Sequence, residues 1–86
     1  MAKYTITLTK QAEKQLDKLE DNIAKPILKA IANLADNPRP HGYLKLKGRN
    51  GCRIRVGNYR IIYEIFDGIL NIDVITIGNK KGIMNS

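Results

Sequence analysis

Near the start of the chain Tyr4, Ile6 and Leu8 are separated by threonines. A period of two puts alternate side chains on one face of an extended backbone, so this stretch is expected to form a strand. The period then lengthens. Ala12, Leu16 and Leu19 follow Thr9 at helical spacing, and Thr9 has a hydroxyl that can accept a bond from a free N–H of a first helical turn. A second helical stripe, Ile23, Ile27, Ala30, Ile31 and Leu34, lies behind Asp21 and Asn22, either of which can cap it. Pro26 is tolerable there only near the first turn. The segment DNPRPHG at 36–42 then ends the helix.

From Tyr43 onward the pattern returns to strands. Residues 52–56, 59–66 and 69–77 are apolar and β-branched, with Gly57-Asn58 and Asp67-Gly68 between them as two-residue turns. The expected order is β-α-α-β-β-β. This is an α+β fold: one domain over residues 1–86, with an N-terminal helical hairpin packed on one face of a small, mostly antiparallel sheet.

The strands contain Arg53, Arg55 and Arg60. If Gly57-Asn58 is the hairpin loop, Val56 faces Tyr59, Arg55 faces Arg60, Ile54 faces Ile61 and Arg53 faces Ile62. All three arginines then share a face. The opposite face carries Ile54, Val56, Tyr59, Ile61 and Tyr63, continued by Leu70, Ile72 and Val74, and should meet the helices. Tyr59 and Tyr63 are therefore expected in the core rather than stacked on bases. Like charges directly opposite one another destabilise a strand pair unless an anion resides between them. The arginine face is accordingly expected to bind an anion, most simply a phosphate. The plainer arrangement has these arginines paired with Glu64 and Asp73, which the same register puts on their face.

Charge extends this picture. The net charge is +7, and residues 43–86 hold eight Lys/Arg against three acids, whereas residues 1–42 hold seven against five. Clustered cations concentrate anything negative, so the partner expected is nucleic acid or an acidic protein segment. Lys45, Lys47 and Arg49 precede the arginine hairpin, and Lys80 and Lys81 follow the last strand, as rims to the cluster. Lys10, Lys14 and Lys18 read as the solvated face of the first helix. Cys52 is the only cysteine and His41 the only histidine, which excludes an internal disulfide and any Cys/His zinc spacing. Cys52 reads as a buried structural thiol and His41 as a surface-loop residue. No window approaches the ~20 apolar residues of a membrane span, and the N-terminus lacks an apolar leader core, so a cytoplasmic location without membrane attachment is expected.

With these residues placed, the sequence resembles the RelE/ParE superfamily of toxins from bacterial and archaeal toxin-antitoxin pairs. The resemblance runs through the first strand, KQLDKLEDNIAKPILKAIANLADNPRP, LKLKG, CRIRVGNYRIIYEI and VITIGNKKGIMN. Its most specific part is the basic-x-basic strand, the short turn and Tyr-Arg occurring together. The resemblance implies a ribosome-dependent mRNA endonuclease that enters the ribosomal A site and drives a ribose 2'-OH onto the adjacent phosphate, without metal or other cofactor. It implies that Arg53 and Arg55 hold and polarise RNA phosphates, that Arg60 stabilises the transition state, and that Lys80 stands in for an arginine. Lys45, Lys47, Arg49 and Lys81 are the RNA-binding residues it suggests. The partners implied are the ribosome, mRNA and a cognate acidic antitoxin that forms a hetero-oligomer with the toxin.

The C-terminus departs from the family pattern of Gly-His/Lys-Arg followed by a hydrophobic residue and a tyrosine. Here Gly78, Asn79, Lys80, Ile83 and Met84 stand at those places. Met84 cannot exchange a proton, and loss of an acid/base group removes ~100- to ~10,000-fold from such a step. The expectation is a weakened or disarmed nuclease unless Tyr59, Tyr63, Lys45 or Lys47 substitutes. A ParE-like inhibitor of DNA gyrase and a non-catalytic antitoxin-binding module are the alternatives.

Overall fold

The computed structural model describes residues 3–48 and 51–79. The elements are β1 (Thr5–Leu8), α1 (Lys10–Asp17), α2 (Asp21–Leu34), β2 (Leu44–Lys45), β3 (Gly51–Val56), β4 (Tyr59–Phe66), a 3-10 turn (Asp67–Ile69) and β5 (Asn71–Asn79). The strands form one sheet in the order β1-β5-β4-β3-β2. Only β1 runs parallel to its neighbour, β5. The α+β architecture follows the expected order, with the two-residue β2 added at the edge.

α1 starts where the sequence placed it, the Thr9 hydroxyl accepting from the Ala12 N–H at 3.1 Å. α2 differs. Its N-cap is Glu20, whose side chain makes no capping bond, and Pro26 lies inside the helix, beyond the first turn. A proline there has no N–H for the carbonyl four residues back. The helix continues because the stripe Ile27, Ile31 and Leu34 is buried against the sheet; packing outweighs local preference.

The core lies between the two helices and one sheet face, joining those residues and Ala12 of α1 to Cys52, Ile54, Ile61, Tyr63, Ile72, Val74 and Ile77. Tyr63 is fully buried. Its hydroxyl donates to the Pro38 carbonyl at 2.6 Å, fastening the loop after α2 to the middle of the sheet. Burial raises this phenol far above its ordinary value. Cys52 is likewise buried, which raises its thiol, as suits a structural residue.

The junction of β4 and β5 is not the expected Asp67-Gly68 hairpin. The 3-10 turn carries the chain over, and Leu70 closes it in the left-handed region at φ 51. Phe66 then faces Asn71 and Tyr63 faces Val74, two positions away from the expected register. A slip of two conserves the face, so Ile72 and Val74 remain in the core. Leu70, expected beside them, is 46% exposed. Ile75 is an extra residue between the pairs Tyr63/Val74 and Ile62/Thr76. This bulge is why Ile77, at an odd position, returns to the core side.

β1 ends at Leu8, so among the described residues the outer edge of β5 has no strand partner from Ile75 on. α1 closes that edge with side chains. The Thr9 hydroxyl donates to the Ile75 carbonyl at 2.7 Å, and the Gln15 amide oxygen accepts from the Ile77 N–H at 2.7 Å and from the Thr76 hydroxyl at 3.1 Å. This holds the end of β5, where Gly78 lies opposite Arg60. Among the described residues, no helix is long and apolar enough to cross a membrane.

Candidate anion-binding face

The β3–β4 loop is the two-residue turn that the sequence predicts. Gly57 sits at φ 59, which glycine adopts without the Cβ clash other residues meet. The loop fixes the register: Val56 faces Tyr59, Arg55 faces Arg60, Ile54 faces Ile61 and Arg53 faces Ile62. Since Ile54 and Ile61 point into the core, the arginines emerge on the sheet's other face.

The pairing register lays that face out in rows, about 7 Å apart because each spans two strand residues. The first row is Gly78, Arg60 and Arg55. The second is Thr76, Ile62, Arg53 and Leu44. The third is Thr7, Asp73, Glu64 and Gly51, and the fourth is Thr5, Asn71 and Phe66.

Arg55 is exposed while Arg53 and Arg60 are half-buried. The Nε of Arg60 is sealed from solvent and, among the described residues, has no hydrogen-bond partner. A cavity of about 70 Å³ is lined by Arg55, Gly57, Asn58, Tyr59 and Arg60, equivalent to roughly two waters at ~30 Å³ each. Burial, followed by the nearness of Arg60 and Arg55, lowers the pKa of Arg53. The guanidinium nevertheless stays charged, since arginine does not deprotonate in proteins.

Glu64 and Asp73 occupy this face, as the register implied, but face each other. Among the described residues neither reaches an arginine within salt-bridge distance. The arginines are therefore not neutralised by the acids nearest in the register. The far corner is different: Arg39 donates to Asp67 at 2.9 Å and the Tyr4 hydroxyl donates to the other carboxylate oxygen at 2.6 Å.

The remaining sequence-predicted residues divide clearly. Lys45 pairs with Cys52, whose side chain is in the core, so Lys45 belongs to the helix-side face and not beside the arginines. Leu44 is the β2 residue next to Arg53, a neighbour the sequence reading missed because a two-residue strand has no periodicity to read. Lys47 is exposed in the turn after β2. Arg49, Lys80, Lys81 and Met84 lie outside the described residues. Tyr59 packs against the core yet also lines the small cavity with Arg55 and Arg60, whereas Tyr63 is fully buried and committed to Pro38, so the Tyr63 phenol is not presented to the arginine face. His41 is exposed and borders a groove of about 440 Å³ beside Asn33, Leu34, Ile54 and Arg55. Among the described residues no group of His, Cys, Asp and Glu side chains forms a metal cluster.

Comparison with known proteins bears on the family and the fold. The family model for the ParE toxin of the type II toxin-antitoxin system, parDE, matches residues 6–84. A curated RelE-like toxin protein of Escherichia coli is 27% identical over 82 residues, covering 92% of this chain and 85% of the relative. The fold superposes on a chain of the archaeal RelE-RelB complex from Pyrococcus horikoshii with TM-score 0.82 at 25% identity, over 91% of this chain and 96% of that one. It also superposes on a chain of the RelB-RelE antitoxin-toxin complex from Methanococcus jannaschii with TM-score 0.73 at 28% identity, over 92% and 95% respectively.

Proposed function

We propose that this chain, which belongs to the ParE toxin family of type II toxin-antitoxin systems, arrests translation by cutting mRNA on the ribosome. The observation that carries this reading is the direct opposition of Arg55 and Arg60 beside a small cavity, with no acid among the described residues within ion-pairing distance of them. A site with this charge and size suits a phosphodiester.

The chemistry that fits is transfer within the RNA strand. The ribose 2'-oxygen attacks the adjacent phosphorus as its proton leaves, and the bond from phosphorus to the 5'-oxygen breaks. The products are a 2',3'-cyclic phosphate and a 5'-hydroxyl, formed as the leaving 5'-oxygen takes up a proton from water. Negative charge grows on the non-bridging oxygens during attack, and preorganised guanidinium groups favour it without reorganising. Arg60, with its unpartnered Nε, stabilises that charge, and Arg55 and Arg53 hold the flanking phosphates. Lys80 supplies a further cation as a point charge, while Lys47, Arg49 and Lys81 extend contact along the strand. Met84 occupies the family's proton-exchanging position, so turnover is slow.

The partner is an acidic antitoxin. The solved relatives include RelE-RelB complexes, and a chain of net charge +7 attracts an acidic segment that folds as it binds. Toxin and antitoxin form a hetero-oligomer in the cytoplasm.

The test is incubation with ribosomes carrying a defined mRNA, followed by mapping of 3' ends, with Arg60→Ala and Met84→Tyr in parallel. Cleavage should vanish in Arg60→Ala and rise ~100-fold or more in Met84→Tyr. Absence of cleavage by both the parent and Met84→Tyr overturns the nuclease reading. The second reading, a gyrase inhibitor acting through protein contacts, is favoured by the match to the ParE model itself. A supercoiling assay with purified gyrase tests it.

A further inference from the structure

The face that carries the arginines also carries carboxylates, and the two sets are segregated. Arg55 and Arg60 share one row, Arg53 lies in the next, and Glu64 and Asp73 share the row after that. Along β4 the step from Arg60 to Glu64 is about 13 Å, four residues at roughly 3.3 Å each. Glu64 and Asp73 stand opposite each other and, among the described residues, neither is joined to a cation. Their neighbours in the row are Thr7 and Gly51, which bring no positive charge. Beyond them comes the exposed ring of Phe66.

A polyanion lying along the strands would carry its phosphates from the arginine row onto two uncompensated carboxylates. A polyanion lying across the strands would meet Gly78, Arg60 and Arg55 in succession, and it would avoid the acids. Gly78 has no side chain to obstruct that route. Accepting the proposed RNA-binding role of the arginines, we propose that the Glu64 and Asp73 pair is a specificity device. It directs single-stranded RNA across the sheet, from β5 over β4 to β3, and ends the protein's footprint at the Arg53 row. The three strands span roughly 10 Å in that direction, enough for a few phosphates only. The substrate class is thus a short, locally extended single strand crossing the sheet, not a long tract lying along the β4 direction.

The experiment uses the full chain and fluorescent oligoribonucleotides of increasing length, titrated at several salt concentrations. The chains compared are the parent, Glu64→Gln, Asp73→Asn, the double carboxamide variant and Arg55→Ala, each checked for folding by thermal melting. The carboxamides are near-isosteric, and the two single variants keep the test valid should the double variant not fold. Parent affinity should stop improving after a few nucleotides. The double variant should bind up to about tenfold more tightly at low salt, with an effect that fades as salt rises, and its affinity should keep improving with oligonucleotide length. An unchanged affinity and length dependence in the carboxamide variants, with Arg55→Ala still weakening binding, overturns the device while leaving the RNA-binding face standing. Equal binding by the parent and Arg55→Ala overturns the face and the inference together.

Discussion

Arg55 and Arg60 face each other directly across the β3–β4 ladder, and the smallest of the cavities described above opens between them. Each guanidinium is a local liability in the absence of an anion, because like charges at opposed positions work against strand pairing. Arg55→Thr keeps β propensity and removes the repulsion. It should stabilise the free protein by about 0.2–1 kcal/mol at low ionic strength. Arg55 is exposed, so the gain belongs toward the lower end and should shrink as salt screens the pair. Urea unfolding in dilute buffer and at ~1 M salt measures this. Added phosphate should raise the melting temperature of the parent more than that of the variant, since only the parent keeps both arginines.

Tyr63→Phe isolates the buried bond to Pro38. The phenol is fully buried and donates at 2.6 Å to a carbonyl of a residue that is itself buried. Removing the hydroxyl leaves that carbonyl without its donor, a loss of about 1–3 kcal/mol. Equilibrium denaturation should report this without a change in slope. Since the loop from Asn37 to Gly42 borders the groove beside Arg55, faster hydrogen exchange in that loop should accompany the loss.

What could be read in advance, and what could not, follows from how each feature is encoded. The arginine face was legible because a two-residue loop and a period of two leave a single register, and Gly57 supplies the conformation that the loop requires. The β4–β5 junction was not. Asp67-Gly68 has the composition of a tight hairpin, yet the Asp67 carboxylate is taken by Arg39 and Tyr4, residues far away in sequence. The turn widens around those bonds, and Leu70 adopts a conformation that the residue itself disfavours. The bulge at Ile75 was equally hidden, since the contacts made there, with Thr9 and with Gln15 of α1, join residues far apart in sequence. Glu20 rather than Asp21 or Asn22 stands at the N-cap of α2, without a side-chain capping bond that the sequence could have signalled. Lys45 was misplaced for a related reason: its face depends on pairing with Cys52, a tertiary fact.

The Asp67 corner gives a pH-dependent prediction. The bond from Arg39, then that from Tyr4, holds the Asp67 carboxyl below its ordinary value. The bond to Asp67 raises the Tyr4 phenol in turn. A carboxyl whose folded value is depressed contributes stability above its unfolded value, and that contribution is lost as pH falls through the folded value. On the acid side the corner should therefore loosen only below the ordinary carboxylate range, and on the alkaline side, because the Tyr4 phenol is raised, only above the ordinary phenol range. NMR titration of the Asp67 side-chain carbon should show a low midpoint that moves upward in Arg39→Ala and, by less, in Tyr4→Phe. A midpoint insensitive to Arg39→Ala would contradict the assignment. The groups are exposed, so the effect on global stability should be small.

Gln15 carries the last prediction, because it does the work of a missing strand. Beyond Leu8 no β1 residue remains to pair with β5, and the Gln15 amide oxygen takes the Ile77 N–H at 2.7 Å and the Thr76 hydroxyl at 3.1 Å. Gln15→Leu retains helix propensity and removes the acceptor, so the Ile77 amide loses its protein partner. The expected loss of stability is about 0.5–1.5 kcal/mol, the net contribution of a typical hydrogen bond. Gln15→Glu keeps an acceptor at the same place and should recover most of that loss. Amide exchange at Ile77 should accelerate in the leucine variant and stay slow in the glutamate variant. Because Ile77 immediately precedes Gly78, the residue opposite Arg60, phosphate binding at the arginine row should weaken in the leucine variant along with the faster exchange. Faster exchange at Ile77 with unaltered phosphate affinity would show that α1 secures the sheet edge without positioning the arginine row.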